Sequence, residues 1–465
     1  MTAHEAIILA AGIICGGIAL VGLFRPFLGI LVLLTIHLVQ PGELFPALAP
    51  FRIELVYGLA VTISVIVLRA LKPDRAPLFS NRILLGAIFL VGAAALTIPF
   101  AVWRGGAFQS TVELVKLVTF LFLLSSLIDT HARLRQVIWF LVGVLVWFAV
   151  SGFAAYTQGN VSHLKFESGE TFDRAQGITT VAGGPNELAS LLLTLLPFLV
   201  VAFRCCRSIL LRLWLLACGG IAIAAMVLTG ARAVMLSLIG VTLYYILRSK
   251  HNLAAMVLFI ILACVTWTAM PEQYRHRYLT IQEYAEGGEL DASNELRLHI
   301  WRVGWQMFLA HPVLGVGAGQ FSTAYATIYA TRVHQAWMNP HNLLIQVACE
   351  MGVIGLIVFG YFLIQIFKHI RAVPRIRGEP DLELNYQVAV ACGAMLLGVL
   401  AVSFVGHTLY RPYWYLLGSV VAANHSLANR LVSNHVETVS PREETEGQEV
   451  KSGYARAAFS AGPER

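Results

Sequence analysis

Charge is scarce in this chain. Only 13% of its 465 residues are Asp, Glu, Lys or Arg, 57% are hydrophobic, and mean hydropathy is +0.71. That composition excludes two or three soluble domains and indicates a polytopic membrane protein. The seven cysteines include no CxxC pair and none falls in the long polar loop, so neither a disulfide framework nor a zinc site is supported. Far-side loops carry no Asp-rich pair or DxD, so no metal and no cofactor is expected. The N-terminus lacks a basic region and a small-residue cleavage pattern, which makes residues 6–23 a retained span rather than a removable leader. No internal repeat indicates a solenoid. The formal charge of +7 would suit nucleic acid in a soluble chain. Here the cations sit in short connections between apolar runs, where they set topology, and no nucleic-acid partner is expected.

What the sequence does have is apolar runs of near-membrane length. They lie at 6–23, 27–40, 51–71, 83–103, 111–128, 135–157, 186–203, 209–229, 232–248, 252–269, 342–370, 386–407 and 411–424. The expected fold is therefore an all-α polytopic helical membrane protein with about 12–13 transmembrane helices and one large extramembrane loop. Alternate short loops differ in cation content, sixteen Lys and Arg in one set against six in the other. The richer set, with Arg204, Arg207, Lys368 and Arg371 among its members, is expected to be cytoplasmic. The expected organisation is an N-terminal transmembrane region 1–157, a far-side loop 158–185, central helices 186–269, the large far-side loop 270–341, C-terminal helices 342–424 and a disordered cytoplasmic tail 425–465.

The large loop does not read as a linker. Residues 294–310 alternate aromatic and aliphatic positions with Arg297, His299 and Arg302, and follow a plausible cap at Asp291-Ala292-Ser293. This segment reads as an amphipathic helix over the bundle, ended by His311-Pro312 and a glycine-rich turn from Gly315 to Gly319. The pair Gly287-Gly288 gives the loop local flexibility. Glu283, Glu286, Glu289, Asp291 and Glu295 read as an exposed acidic stretch. Glu113 and Lys116, three apart in one span, neutralise each other.

Topology collects Arg174, Asn186, Arg232, Arg297, Arg302, His341, Tyr410 and Arg411 at the far-side water boundary. Arg232, between two apolar spans, is costly there without an anion or a water-filled pocket. The plain alternative is an arginine that snorkels to headgroups, and for Arg297 and Arg302 it is a solvated helix face. His341 opens the helix at 342–370, and its plain alternative is a local backbone contact. Taken together, arginines that hold a diphosphate bidentately and an imidazole that takes a proton near neutral pH suit transfer of a group from a lipid diphosphate to an alcohol, with no nucleotide. Glu350, nine residues after His341, falls on the opposite helical face and is not paired with it.

The entry His341-Asn342, with Glu350, Gly352 and Gly355-Leu356 beyond it, resembles the bacterial O-antigen ligase and polymerase superfamily of integral-membrane glycosyltransferases. Leu296-Arg297 through Trp301, His311-Pro312-Val313-Leu314-Gly315-Val316-Gly317, Gly184-Pro185-Asn186-Glu187-Leu188-Ala189 and Arg232 extend the resemblance over about residues 170–425. The first 150 residues, with Arg25-Pro26-Phe27, loosely resemble the exosortase-associated O-glycosylation ligase subgroup.

The resemblance implies a bacterial inner-membrane enzyme with a periplasmic active site. Such an enzyme moves glycan from undecaprenyl diphosphate to an acceptor, inverting and without metal. Carried over, His341 is the base or acceptor-positioning group, and Arg232 and Arg297 hold the diphosphate, with Arg302, Arg174 and Arg411 as further candidates. Asn186, Tyr410 and Asn342 are the substrate-binding candidates. The implied partners are membrane lipid, the lipid-linked glycan donor and an acceptor that is lipid A-core, another lipid-linked repeat or a protein hydroxyl. Ligases and polymerases share these motifs, so both stand at this point, with a transporter of polysaccharide or lipid-linked sugar as the non-enzyme reading.

Overall fold

A computed structural model of the chain describes residues 17, 20–40, 53–70, 81–165, 171–179, 182–249, 252–275, 278–279, 292–329, 337–375 and 379–439. The helices are α1 (Pro26–Val39), α2 (Ile53–Ala70), α3 (Arg82–Thr97), α4 (Arg104–Leu127) and α5 (His131–Thr157). A hairpin of β1 (Val161–Lys165) and β2 (Thr171–Ala175) follows. Then come α6 (Pro185–Cys205), α7 (Ile209–Leu228), α8 (Arg232–Leu247), α9 (Asn252–Ala269), α10 (Ala292–Ala310), α11 (Leu343–Arg371), α12 (Pro380–Ser403) and α13 (Tyr413–Val439).

Capping side chains set several starts. Asn81 accepts from the amides of Ile83 and Leu84, Thr130 from Arg133, and Asn342 from Ile345, while Pro185 and Pro380 occupy first-turn positions that need no donor. Among the described residues seven helices are long and apolar enough to cross a membrane: the stretches beginning at Arg82, Arg104, His131, Pro185, Ile209, Leu343 and Pro380. Shorter apolar helices lie at Pro26–Leu38, Glu54–Leu68, Arg232–Leu247 and Asn252–Thr268. The protein is a multi-pass, all-α membrane protein. The larger expected count of spans included these short helices and residues 6–23, which lie largely outside the described residues.

The structure departs from expectation at several places, among them the following. The span expected at 386–407 ends at Ser403, because a turn at Phe404–Gly406 takes the chain across the top of the bundle. The last helix does not stop at 424 but runs to Val439. Asn424 exchanges hydrogen bonds with Asn385, and Ala428 is buried with Val373 and Ala389, so packing holds the first turns past the expected tail boundary. The disorder expected beyond them, and the flexibility expected at Gly287-Gly288, lie outside the described residues. Inside the expected 158–185 loop stands the two-stranded antiparallel pair, with Val161 opposite Ala175 and Lys165 opposite Thr171. The Glu113–Lys116 pair is present, at 2.6 Å.

Polar contacts define two ends of the bundle. At one end His131 meets Asn385 at 2.8 Å, Arg204 donates to Gln387 at 2.8 Å, and Arg135 pairs with Asp381, so the starts of α5 and α12 adjoin the end of α6. The starts of α6 and α11 and the end of α12 consequently lie at the opposite end. Between the two ends the core is apolar and aromatic. Phe359 packs edge-on to Trp414 and Phe362 stacks on Tyr415, joining α11 to α13.

Helix α11 is broken at Gly352, whose φ of 64° and ψ of −158° fall in a region almost exclusive to glycine. The break frees carbonyls and amides that must find partners inside the protein. The glycine-rich turn supplies them. Val316 and Gly317 donate to the carbonyls of Cys349 and Glu350, and Val353 donates to that of Pro312. A side chain at Gly352 would place its Cβ 2.2 Å from the Val313 carbonyl oxygen. The turn is further tied by Val102 donating to the Val316 carbonyl and by Ala318 donating to the Thr97 hydroxyl.

Candidate functional site

The site is assembled from four pieces of chain at the end of the bundle where α6 and α11 begin. The first is β2. Its alternation puts Phe172 and Arg174 on one face, and Phe172 is buried with Val227, Met270 and Tyr274. Burying that ring carries the Arg174 guanidinium inward. There it donates to the Thr229 carbonyl at 2.7 Å through Nε and to Asn186 Oδ1 at 2.9 Å through a terminal nitrogen. Arg174 thus joins the N-terminus of α6 to the turn that starts α8. Burial works against its charge, Arg232 also lowers its pKa, and Tyr278 and Glu187 oppose the shift. Arg232 occupies the first position of α8.

The second piece is α10, which buries Ile300, Val303 and Met307 against Phe321, Ala324, Tyr325 and Cys349. The helix comes close enough to α11 that a Cβ on Gly304 would meet Ile345 at 2.4 Å. Ile300 lies one turn after Arg297, so the packing aims Arg297 inward, within electrostatic reach of His341. Arg302, about 140° further round the helix, is exposed. Glu295, alone of the expected acidic stretch, lies among the described residues, and it is exposed.

The third piece is the entry to α11. His341 has φ of 45°, in the left-handed region, which costs a residue other than glycine about 1–2 kcal/mol. Asn342 then caps the helix and donates to the Phe404 carbonyl at 2.9 Å, which commits its amide. Burial first, and Arg297 second, hold the His341 imidazole below its usual pKa, with Glu187 opposing them.

The fourth piece is the connection 404–412. It is pinned along one face of α11 at positions four apart. Asn342 reaches Phe404, Gln346 Oε1 accepts from the Leu409 amide at 3.3 Å, and Glu350 Oε2 accepts from the Tyr410 hydroxyl at 2.9 Å. Glu350 also accepts from the Gly319 amide at 2.8 Å, so this buried carboxylate is satisfied by the connection and the glycine-rich turn. Tyr410 is therefore held as an anchor. Arg411 pairs with Glu187 of α6 at 3.6 Å. The His407 ring stands edge-on to His341, with centroids 5.5 Å apart and planes at 83°.

Of the expected residues, Arg174, Asn186, His341, Asn342, Tyr410 and Arg411 take part in these contacts, with Arg297 in electrostatic reach of His341, Arg232 in electrostatic reach of Arg174 and Arg302 facing out. Sequence reasoning missed His407, Gln346 and the site role of Glu187. Two signals were available: the polar stripe Asn342, Gln346 and Glu350 in an apolar run, and the position of His407 four residues before Arg411.

Residues 189–360 match the family model described as O-Antigen ligase. The chain is 21% identical over 155 residues to a Rickettsia prowazekii (strain Madrid E) protein named "Putative polysaccharide ligase RP358", covering 32% of this chain and 33% of that protein. A protein of Rickettsia conorii (strain ATCC VR-613 / Malish 7) named "Putative polysaccharide ligase RC0486" is likewise 21% identical over 154 residues, with 32% and 33% covered. The matched stretch thus spans about a third of the length of these curated relatives. A chain from the structure "Structural coordination of polymerization and crosslinking by a peptidoglycan synthase complex" aligns with a TM-score of 0.37 and 19% identity over 74% of this chain and 97% of that one. The similarity to the O-antigen ligase family thus lies in residues 189–360.

Proposed function

We propose that the chain is a lipid-diphosphate-dependent glycan ligase, which moves a glycan from undecaprenyl diphosphate to an acceptor hydroxyl at the periplasmic face of the bacterial inner membrane. The observation that carries this reading is a linked set of groups at one end of the bundle: Arg174 joins the N-terminus of α6 to the turn before Arg232 and α8, Arg411 pairs with Glu187 of α6, and Glu187 and Arg297 lie within electrostatic reach of His341 at the entry to α11. Helix N-termini and guanidinium groups both favour an anion, and a diphosphate leaving group gains negative charge as its bond to the sugar breaks.

His341, kept neutral by burial and by Arg297, is the base that accepts the hydroxyl proton, and attack from the face opposite the diphosphate inverts the anomeric carbon. This chemistry needs no metal. The acceptor is lipid A-core, another lipid-linked glycan or a protein hydroxyl. The test is reconstitution in proteoliposomes with an undecaprenyl-diphosphate oligosaccharide and each acceptor in turn, EDTA present. A new glycosidic bond and released undecaprenyl diphosphate are expected. Stepwise growth of lipid-linked repeats would make the enzyme a polymerase instead, and glycan movement into the vesicles without a new bond would overturn the reading.

A further inference from the structure

We propose that His407 is a positioning residue for His341, a second imidazole that receives a hydrogen bond from the first when the first becomes protonated. The proposal rests on the ligase reading above for its reaction. Its structural basis does not depend on that reading.

Three observations carry it. The two rings are in edge-to-face contact at 5.5 Å. Among the described residues, His407 Nδ1 is buried and has no hydrogen-bond partner, and a buried polar atom left unpaired in this way calls for an explanation. Finally, the connection that carries His407 is fixed at Phe404, Leu409 and Tyr410 to successive turns of α11, the helix that His341 opens. A ring that merely filled space would need none of this registration. With its proton on Nε2, His407 presents Nδ1 as an acceptor in reach of a rotated His341 ring.

In the transfer step the acceptor oxygen bonds to the anomeric carbon, and the carbon–oxygen bond to the diphosphate breaks with its electron pair remaining on the diphosphate. The hydroxyl proton moves to one nitrogen of His341. The N–H on the other nitrogen then donates to His407 Nδ1. His407 itself stays neutral, as burial, His341 and Arg411 require by holding its pKa down to about 4. The proton later leaves His341 to water. The charged groups around the pair are Arg297 from α10, Glu187 from α6 and Arg411 from the same connection. Tyr410 and Glu350 bond to each other behind it.

The test compares His407→Phe, which keeps a ring without an acceptor, with His407→Gln, which keeps an acceptor. Both are made in the full chain in nanodiscs, with folding checked by thermal melting. The pKa of His341 is read without substrate, from the pH dependence of its carbethoxylation by diethyl pyrocarbonate, followed by peptide mass spectrometry. Turnover of an undecaprenyl-diphosphate oligosaccharide is followed over the same pH range. In His407→Phe the His341 midpoint is expected to move down by about half a pH unit, because the protonated form has lost its acceptor. Turnover is expected to fall about ten-fold, and His407→Gln to recover most of both. An unmoved His341 midpoint in His407→Phe, whether turnover falls or not, overturns the proposal and leaves His407 a packing residue. If His341→Ala retains turnover, the ligase mechanism fails, while the carbethoxylation midpoint still decides the role of His407.

Discussion

At the residue scale, His341 combines a left-handed backbone conformation with an environment that disfavours its charged form. Strain of this kind persists only where the surroundings hold it, and here the cap of Asn342 and its bond to Phe404 do so from the next residue. His341→Ala is expected to lower transfer by about 10²- to 10⁴-fold while leaving the melting temperature in detergent nearly unchanged. Wild-type transfer by that variant would remove the imidazole from the mechanism. Because the working form is the neutral ring and its pKa lies below 6.5, the rate is expected to stay flat from pH 8 down to about 6.5 and to decline only below that. A decline that begins above pH 7 would show that a different group titrates. Arg232→Ala is expected to weaken use of the lipid-linked donor, read as loss of transfer at limiting donor, whereas Arg302→Ala, on the exposed side of α10, is expected to change it little.

At the element scale, the break in α11 decides how the large loop attaches. Gly352→Ala combines a disfavoured backbone region with a Cβ driven against the Val313 carbonyl, and is expected to cost more than about 3 kcal/mol. The chain should fail to accumulate in membranes. Gly360→Ala is the control, since Gly360 lies in the same helix with open space at its Cβ; normal yield of both variants would mean that the joint is dispensable.

The helices themselves were legible in the sequence from their apolar length and their capping residues. Arg174, Asn186, His341 and Arg411 were singled out there as well, and the structure sets them at one end of the bundle. The break was not, because a glycine inside an apolar run looks the same whether the helix passes straight through it or another segment docks into it. His407 escaped for a related reason. It falls at the end of an apolar run, and only the turn at Phe404–Gly406 takes it out of the span and sets it against His341. Glu187 reads as an ordinary acidic first-turn residue until Arg411 arrives from the far end of the chain to meet it.

At the scale of the whole molecule, the two ends of the bundle differ in kind. One carries His341 against His407, with Arg174 bound to Asn186 and Arg411 to Glu187. The other ties helix ends together through His131, Asn385, Asn424 and Asp381. The proposed orientation puts the first outside the cytoplasm. With the native cysteines replaced, Gly159→Cys is expected to react with a membrane-impermeant maleimide on intact spheroplasts, and Glu379→Cys only after permeabilisation. Both positions are exposed, and they lie at opposite ends. The reverse pattern would invert the topology and place the candidate site in the cytoplasm.

The seam between the loop and α11 also bears on how this architecture tolerates change. Val316 is buried in the core under α10, but main-chain atoms make the seam, so it asks little of the identities of the exposed Val313 and half-buried Leu314. It asks a great deal of their number, because one inserted residue between Pro312 and Gly317 would slide each amide past the carbonyl it serves. At Val313 and Leu314 the chain can exchange its letters far more freely than the segment can alter its length, while Gly315 and Gly317, at positive φ against their neighbours, are fixed in both respects.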